Sequence, residues 1–167
     1  MKIIIMSDTH LPKRAKHLPM IVIEAIQNAD LIIHAGDWTT IELYEELKEL
    51  APIQGVYGNV DSDELIKVLE DHILLDINGH KIGVTHGHLG KAKSTPVRAY
   101  DTFANEKTDL IIFGHSHIPY IKKHNDVILF NPGSPTDKRF QPQYSFGILE
   151  IKHQLTIKHH FFDHKTS

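Results

Sequence analysis

Short apolar runs and longer amphipathic stretches alternate along the chain. Residues 2–6, 30–35, 52–57 and 109–113 are runs of the first kind, mostly β-branched and stopped by polar or glycine residues, and they predict buried strands. Between them lie stretches with helical spacing. Pro19 opens one over about residues 20–28, with Ile23 and Ile26 among its apolar positions. Thr39 or Thr40 caps a second that runs through Leu50, with Leu43, Leu47 and Leu50 on one face. Residues 62–70 and 96–106 predict two more helices. Residues 73–77 and 80–85 flank Asn78-Gly79, a pair that favours a type I′ turn and so predicts a hairpin. Residues 120–123 and 127–130 predict a second hairpin across Asn125-Asp126, and residues 144–151 and 155–162 close the chain as antiparallel strands. No linker, repeat or low-complexity run interrupts the pattern, so residues 1–167 are expected to form one α/β domain whose mixed sheets carry helices on their outer faces.

Composition narrows the chemistry. A net charge of -3 gives no electrostatic reason to expect nucleic acid as a partner. Cysteine is absent, which excludes disulfides, thiolate metal sites and a cysteine nucleophile. The N-terminal apolar run is too short for a signal peptide and nothing approaches transmembrane length, so a cytoplasmic protein without a membrane partner is expected. The unusual count is 14 histidines, and histidine is both the commonest metal ligand and a common acid or base.

Five of the apolar strands run out into polar clusters: Asp8/His10, Asp37, Asn59/Asp61, His86/His88 and His115/His117. In open α/β sheets the functional crevice lies beyond the carboxyl ends of the strands. Converging there, these side chains would repel one another and lose hydration unless a cation joined them. Imidazole, carboxylate and amide donors without sulfur suit a borderline divalent ion such as Mn, Fe, Zn, Co or Ni, and the donors are numerous enough for two. Two ions roughly 3.5–4 Å apart need a ligand that reaches both; Asp37, preceded by Gly36, is the expected bridge. Water held between such ions supplies hydroxide near neutral pH to attack an electrophilic centre, with Asn59 or a nearby histidine placed to steady the charge that develops.

The ordered set Asp8-x-His10, Gly36-Asp37, Gly58-Asn59-x-Asp61, His86-Gly87-His88 and Gly114-His115-Ser116-His117 resembles the calcineurin-like metallophosphoesterase superfamily, and in length the small single-domain YfcE-type phosphodiesterases. The resemblance implies a four-layer αββα sandwich of two mixed β-sheets. It implies a metal-dependent phosphoesterase, most readily a phosphodiesterase, with two divalent ions (manganese first) and a small phosphate-ester substrate attacked by a metal-bridging hydroxide. Carried over by position, one ion falls to Asp8, His10, Asp37 and His117, the other to Asp37, Asn59, His86 and His115. Many relatives have a histidine directly after the motif asparagine as general acid; here that position is Val60, and His88 is the candidate stand-in. The rival is a non-catalytic metal-binding scaffold on the same fold, like the retromer subunit. Such scaffolds tend to lose ligand histidines, and this chain keeps every position.

The remaining candidates have plainer readings. His34 lies inside a strand and is expected in the core; His153, His159, His160 and His164 are expected on the surface. Trp38 is read as packing under the loop, and Asp61 as a helix cap or a partner orienting a histidine. Asn131 to Ser134 form a structural turn near the site. Lys13, Arg14, Lys16, Lys91, Lys93 and Arg98 are read as solvated charges rather than a lure for an anion. Tyr100, Phe103, Tyr120 and Phe130 offer apolar area for a homodimer or for the core.

Overall fold

Strand β1 (Lys2–Met6) sets the layering, because its side chains alternate between two cores. Ile3 and Ile5 pack with Ile33, Val84, Ile112 and Phe130 in one cluster, whereas Ile4 and Met6 join Val22, Ile26, Leu43 and Leu47 in another. The computed structural model describes residues 1–164.

The elements following β1 are α1 (Met20–Gln27), β2 (Leu31–His34), α2 (Ile41–Leu50), β3 (Ile53–Gly55), α3 (Asp63–Val68), β4 (His72–Ile77), β5 (His80–Thr85), α4 (Thr95–Thr102), β6 (Leu110–Ile112), β7 (Tyr120–His124), β8 (Val127–Asn131), β9 (Tyr144–Ile151) and β10 (Leu155–Phe162). They form two five-stranded sheets, ordered β10-β9-β1-β2-β3 and β4-β5-β6-β8-β7. In the first, β1, β2 and β3 run parallel and β9 and β10 antiparallel. In the second, β5, β6 and β8 are parallel, with β4 and β7 antiparallel at the edges. One core lies between the sheets, a second under α1, α2 and α3, and a third under α4, built on Ala99, Phe103, Ile111 and Phe113. This is the expected αββα sandwich.

Several expectations shift at element ends. Leu50 is 42% exposed, so the buried stripe of α2 is Leu43 and Leu47. β3 stops at Gly55 because Val56 leaves to pair with Glu70. α4 ends at Thr102, four residues early, with Phe103 turned down into the core. Asn78 and Gly79 both take positive φ, 51° and 82°, as a type I′ turn requires.

His34 and Trp38 are core, stacked at 3.7 Å, and Trp38 donates its indole N–H to Val56 O. His159 and His160 correct the surface reading. His159 stacks on Phe130 and bonds Asn131 O at 2.7 Å, and His160 stacks on Phe146. They do point to opposite faces, and each is half-buried there against a phenylalanine ring. Phe103 and Phe130 are buried, and Tyr100 and Tyr120 pack half-buried against the third core.

Candidate metal centre

The parallel strands of both sheets end on the same side of the sandwich. β1 leads into Asp8 and His10, β2 into Asp37 and β3 toward Asn59, while β5 leads into His86 and His88 and β6 into His115 and His117. The first sheet therefore supplies half of the predicted site and the second sheet the other half. Asp8, Asp37, His86, His10 and His117 are all buried.

The backbone there is strained. Asp8, His10, Asp37, His115 and His117 have φ of 56°, 48°, 59°, 70° and 60°, in the left-handed region that L-residues seldom enter. Aspartate and histidine tolerate it better than most, and this turning aims the side chains inward instead of along the strands. Gly58 and Gly114 serve by lacking a Cβ. One at Gly58 would overlap the Asp37 carboxylate, and one at Gly114 would overlap Ser7 Oγ and lie 2.7 Å from Asp8 Oδ2.

Two groups of ligand atoms converge tightly enough to hold an ion: Asp8, His10 and His117, and Asp8, Asp37 and His86. His10 Nε2 and His117 Nε2 stand 3.2 Å apart. Asp8 Oδ1 is 3.4 Å from His117 Nε2 and 3.9 Å from His86 Nε2. Asp37 Oδ2 is 3.6 Å from His10 Nε2 and 3.3 Å from His86 Nε2, within reach of a histidine of each group, while Asp8 is the residue that the two groups share. Asn59 Oδ1 lies 3.1 Å from His86 Nε2 and 3.0 Å from His115 Nδ1, which joins the last two predicted ligands to the cluster.

Backbone carbonyls fix which imidazole nitrogen faces inward. His86 Nδ1 donates to Ala35 O at 2.7 Å and His117 Nδ1 to Asp137 O at 2.6 Å, so each presents Nε2 to the cluster. Burial pushes Asp8 up to about 7, partly offset by His86. Burial also opposes charge on Asp37, but the hydrogen bond and charge of His86 outweigh it and bring it down to about 2. His86 is the counterpart: burial disfavours its cation, yet the Asp37 hydrogen bond and the Asp8 and Asp37 charges raise it to about 9. Burial, reinforced for His115 by the His86 charge, lowers His115 and His117 to about 4. Fixed carboxylates and inward imidazole lone pairs, crowded at 3 to 4 Å, are a donor set that fits divalent cations.

His88 sits at the edge, its ring 5.3 Å from His86 and 6.5 Å from His115, with Nδ1 buried and without a hydrogen-bond partner. Burial and then the His86 charge lower its pKa, which counts against it as a proton donor at neutral pH.

Asp61 neither caps α3, which Ser62 does, nor touches a histidine ligand. Its carboxylate accepts from the backbone N–H groups of Asp37, Thr39 and Gly58 at 3.0, 2.7 and 2.7 Å. Arg98 is no solvated charge; it clamps the loop after β5 through Gly87 O, Ala92 O and Lys93 O. The turn after β8 braces the site as expected: Asn131 Nδ2 donates to Gly114 O and Ser134 Oγ to Asp8 O. Asp137 was not singled out in the sequence. It holds His117 through its backbone carbonyl and pairs with Arg14 at 3.1 Å, a role that no side-chain motif advertises.

The fold and this cluster define a metallophosphoesterase. The chain belongs to the calcineurin-like phosphoesterase superfamily, whose domain matches residues 1–154. It is 39% identical over 154 residues to the probable metallophosphoesterase MJ0623 of Methanocaldococcus jannaschii, covering 92% of this chain and 78% of that one. It is 32% identical over 149 residues to phosphodiesterase MJ0936 of the same organism (80% and 83% covered) and 25% identical over 173 residues to the Escherichia coli phosphodiesterase YfcE (90% and 88%). Among solved structures it resembles wild-type Vps29 of Entamoeba histolytica complexed with zinc, with a TM-score of 0.73 at 22% identity over 98% of this chain and 100% of that one, a likeness of fold. Among the described residues no helix is long and apolar enough to cross a membrane.

Proposed function

We propose that the protein is a dinuclear metal-dependent phosphodiesterase acting on a small phosphate ester in the cytoplasm, with manganese as the first metal to try. The observation that carries this reading is the convergence of Asp8, Asp37, His10, His86 and His117 on two overlapping groups of ligand atoms. Asp8, His10, Asp37 and His117 would hold one ion, and Asp37, Asn59, His86 and His115 the other. Divalent ions at such a site lower the pKa of water towards roughly 7 and neutralise phosphoryl charge.

The chain's own residues do the rest. Asp61 and Ser134 fix the backbone of Asp37 and Asp8, so the carboxylates are set before substrate arrives. The Ala35 and Asp137 carbonyls keep the imidazole lone pairs inward. Asn59, with Oδ1 turned toward His86 and His115, has its amide N–H groups left for a phosphoryl oxygen. His88, lowered in pKa and unpartnered at Nδ1, suits a neutral hydrogen-bond role better than proton transfer. With Val60 where relatives carry an acid, activated aryl diesters should react faster than alkyl monoesters.

Hydrolysis of bis(p-nitrophenyl) phosphate by chelator-stripped protein, with manganese returned, tests the proposal alongside Asn59→Ala. Turnover that returns with metal and collapses in the variant is expected. A folded, metal-loaded protein without turnover on any divalent ion would favour the scaffold reading, to which the likeness of fold to Vps29 lends support.

A further inference from the structure

Beside the His10 and His117 end of the cluster lies a cavity of about 330 Å³ lined by Lys13, Arg14, Thr136, Asp137, Lys138 and Arg139, with Tyr144 at its margin. Four of these side chains are cationic and one is anionic, in a chain whose net charge is -3. The anion is already engaged, since Asp137 pairs with Arg14 at 3.1 Å. Lys138 lies over the Tyr144 ring and donates to Pro142 O. Among the described residues, neither Lys13 nor Arg139 has a carboxylate partner. Asp137 offsets only one of the four cations, so positive charge is in excess in a concave place, where field lines focus and attract a small anion.

The cavity is joined to the metal cluster through the backbone. Arg14 N donates to His10 O at 2.9 Å, Thr136 Oγ1 to Thr9 O at 2.6 Å, and His117 Nδ1 to Asp137 O at 2.6 Å. The two loops that line it are the loops that carry or hold His10 and His117.

We propose that this cavity is a second anion site, which binds a phosphate group carried on the substrate next to the diester that is cleaved. The inference rests on the phosphodiesterase reading and names the substrate class for it: phosphodiesters bearing a further phosphate monoester, rather than singly charged diesters. Arg139 offers a planar fork matched to phosphate oxygens and Lys13 a point charge beside it. The diester occupies the cluster while the second phosphate reaches sideways over Asp137. Bond cleavage itself is unchanged; the subsite acts on binding and orientation.

The test uses two matched probes, the p-nitrophenyl ester of thymidine 5′-phosphate and the same ester carrying a 3′-phosphate, with manganese-loaded protein. The readout is the ratio of their kcat/KM values. The expected ratio favours the 3′-phosphorylated probe at least tenfold at low salt, shrinks as potassium chloride is raised, and falls towards one in Arg139→Ala and in the double variant with Lys13→Ala. Arg139→Lys should restore part of it. A wild-type ratio near one, or a ratio that survives in both variants, overturns the second anion site and leaves the phosphodiesterase reading standing. No hydrolysis of either probe, or of bis(p-nitrophenyl) phosphate, overturns both.

Discussion

Replacing Asp61 isolates what holds the metal centre open. Its carboxylate accepts three backbone N–H groups, from Asp37, Thr39 and Gly58, at 3.0, 2.7 and 2.7 Å. Two of those residues have left-handed backbones, with φ of 59° at Asp37 and 94° at Thr39. In Asp61→Ala all three donors lose their acceptor, and an unsatisfied buried donor costs about 1–3 kcal/mol. Allowing water to reach one of them, the other two cost about 2–6 kcal/mol, a large part of the roughly 5–15 kcal/mol typical of a domain. Asp61→Asn is the more informative variant because it keeps the shape. If its oxygen takes the Oδ2 position it still accepts from Asp37 and Gly58, but its NH2 group then faces the Thr39 N–H, donor against donor. The expected cost is about 1–3 kcal/mol in the metal-free protein. Pushing Thr39 away loosens the turn that leads out of Asp37, so metal affinity should drop about 10–100-fold, the usual effect of disturbing a group that orients a ligand. Urea unfolding followed by the buried Trp38 gives the first number, and competition with a fluorescent chelator gives the second. An Asp61→Asn protein within about 0.5 kcal/mol of the parent, with metal affinity within about twofold, would refute the account of Asp61 as the residue that positions Asp37.

Other consequences are as direct. Gly114→Ala adds a methyl that overlaps Ser7 Oγ and crowds Asp8 Oδ2; it should destabilise by about 1–3 kcal/mol and weaken metal binding, both readable in the same two assays. His86, at about 9, enters metal binding protonated and must leave it neutral, so affinity should rise about tenfold per pH unit from about 7 to 9 and level off above that, with about one proton released near pH 8. Calorimetry in buffers of different ionisation enthalpy measures that proton, and a flat affinity over the range would contradict the His86–Asp37 pairing. Val60 is 40% exposed and its N–H to Asp37 Oδ1 is a backbone contact, so Val60→His should leave stability within about 0.5 kcal/mol while raising kcat/KM on alkyl esters relative to nitrophenyl esters.

The local elements were legible because their signals are local. β1, β9 and β10 carry period-two or fully apolar runs and match residue for residue, and Asn78-Gly79 marked its hairpin. What could not be read were pairings across long separations. Nothing in the chain announces that β9 inserts beside β1, with Lys2 opposite Glu150, and β10 pairs with β9 there so that two expected surface histidines pack half-buried on Phe130 and Phe146. At the site, the identities of the converging side chains were readable from strand ends and motif spacing. Their backbone conformations were not, since a positive φ at Asp8 or His115 leaves no mark on residue type. Asp61 and Asp137 were obscured for a related reason: they act on or through backbone groups, whose partners only tertiary structure reveals.

The left-handed backbone at Asp8, His10, Asp37, His115 and His117 also sets a direction for mutational drift. Each of these residues stands in a conformation that glycine adopts freely and that costs other residues on the order of 1 kcal/mol. Carboxylates and imidazoles are crowded there as well. Substitutions that blunt the cluster would therefore relieve the metal-free fold, and purifying pressure for stability alone would let the centre dissolve into glycines and small side chains. The cluster is a standing liability to the unliganded chain. It persists only while something bound there returns more free energy than the strain removes, which makes thermal unfolding with and without divalent metal a direct reading of whether this chain still depends on its centre.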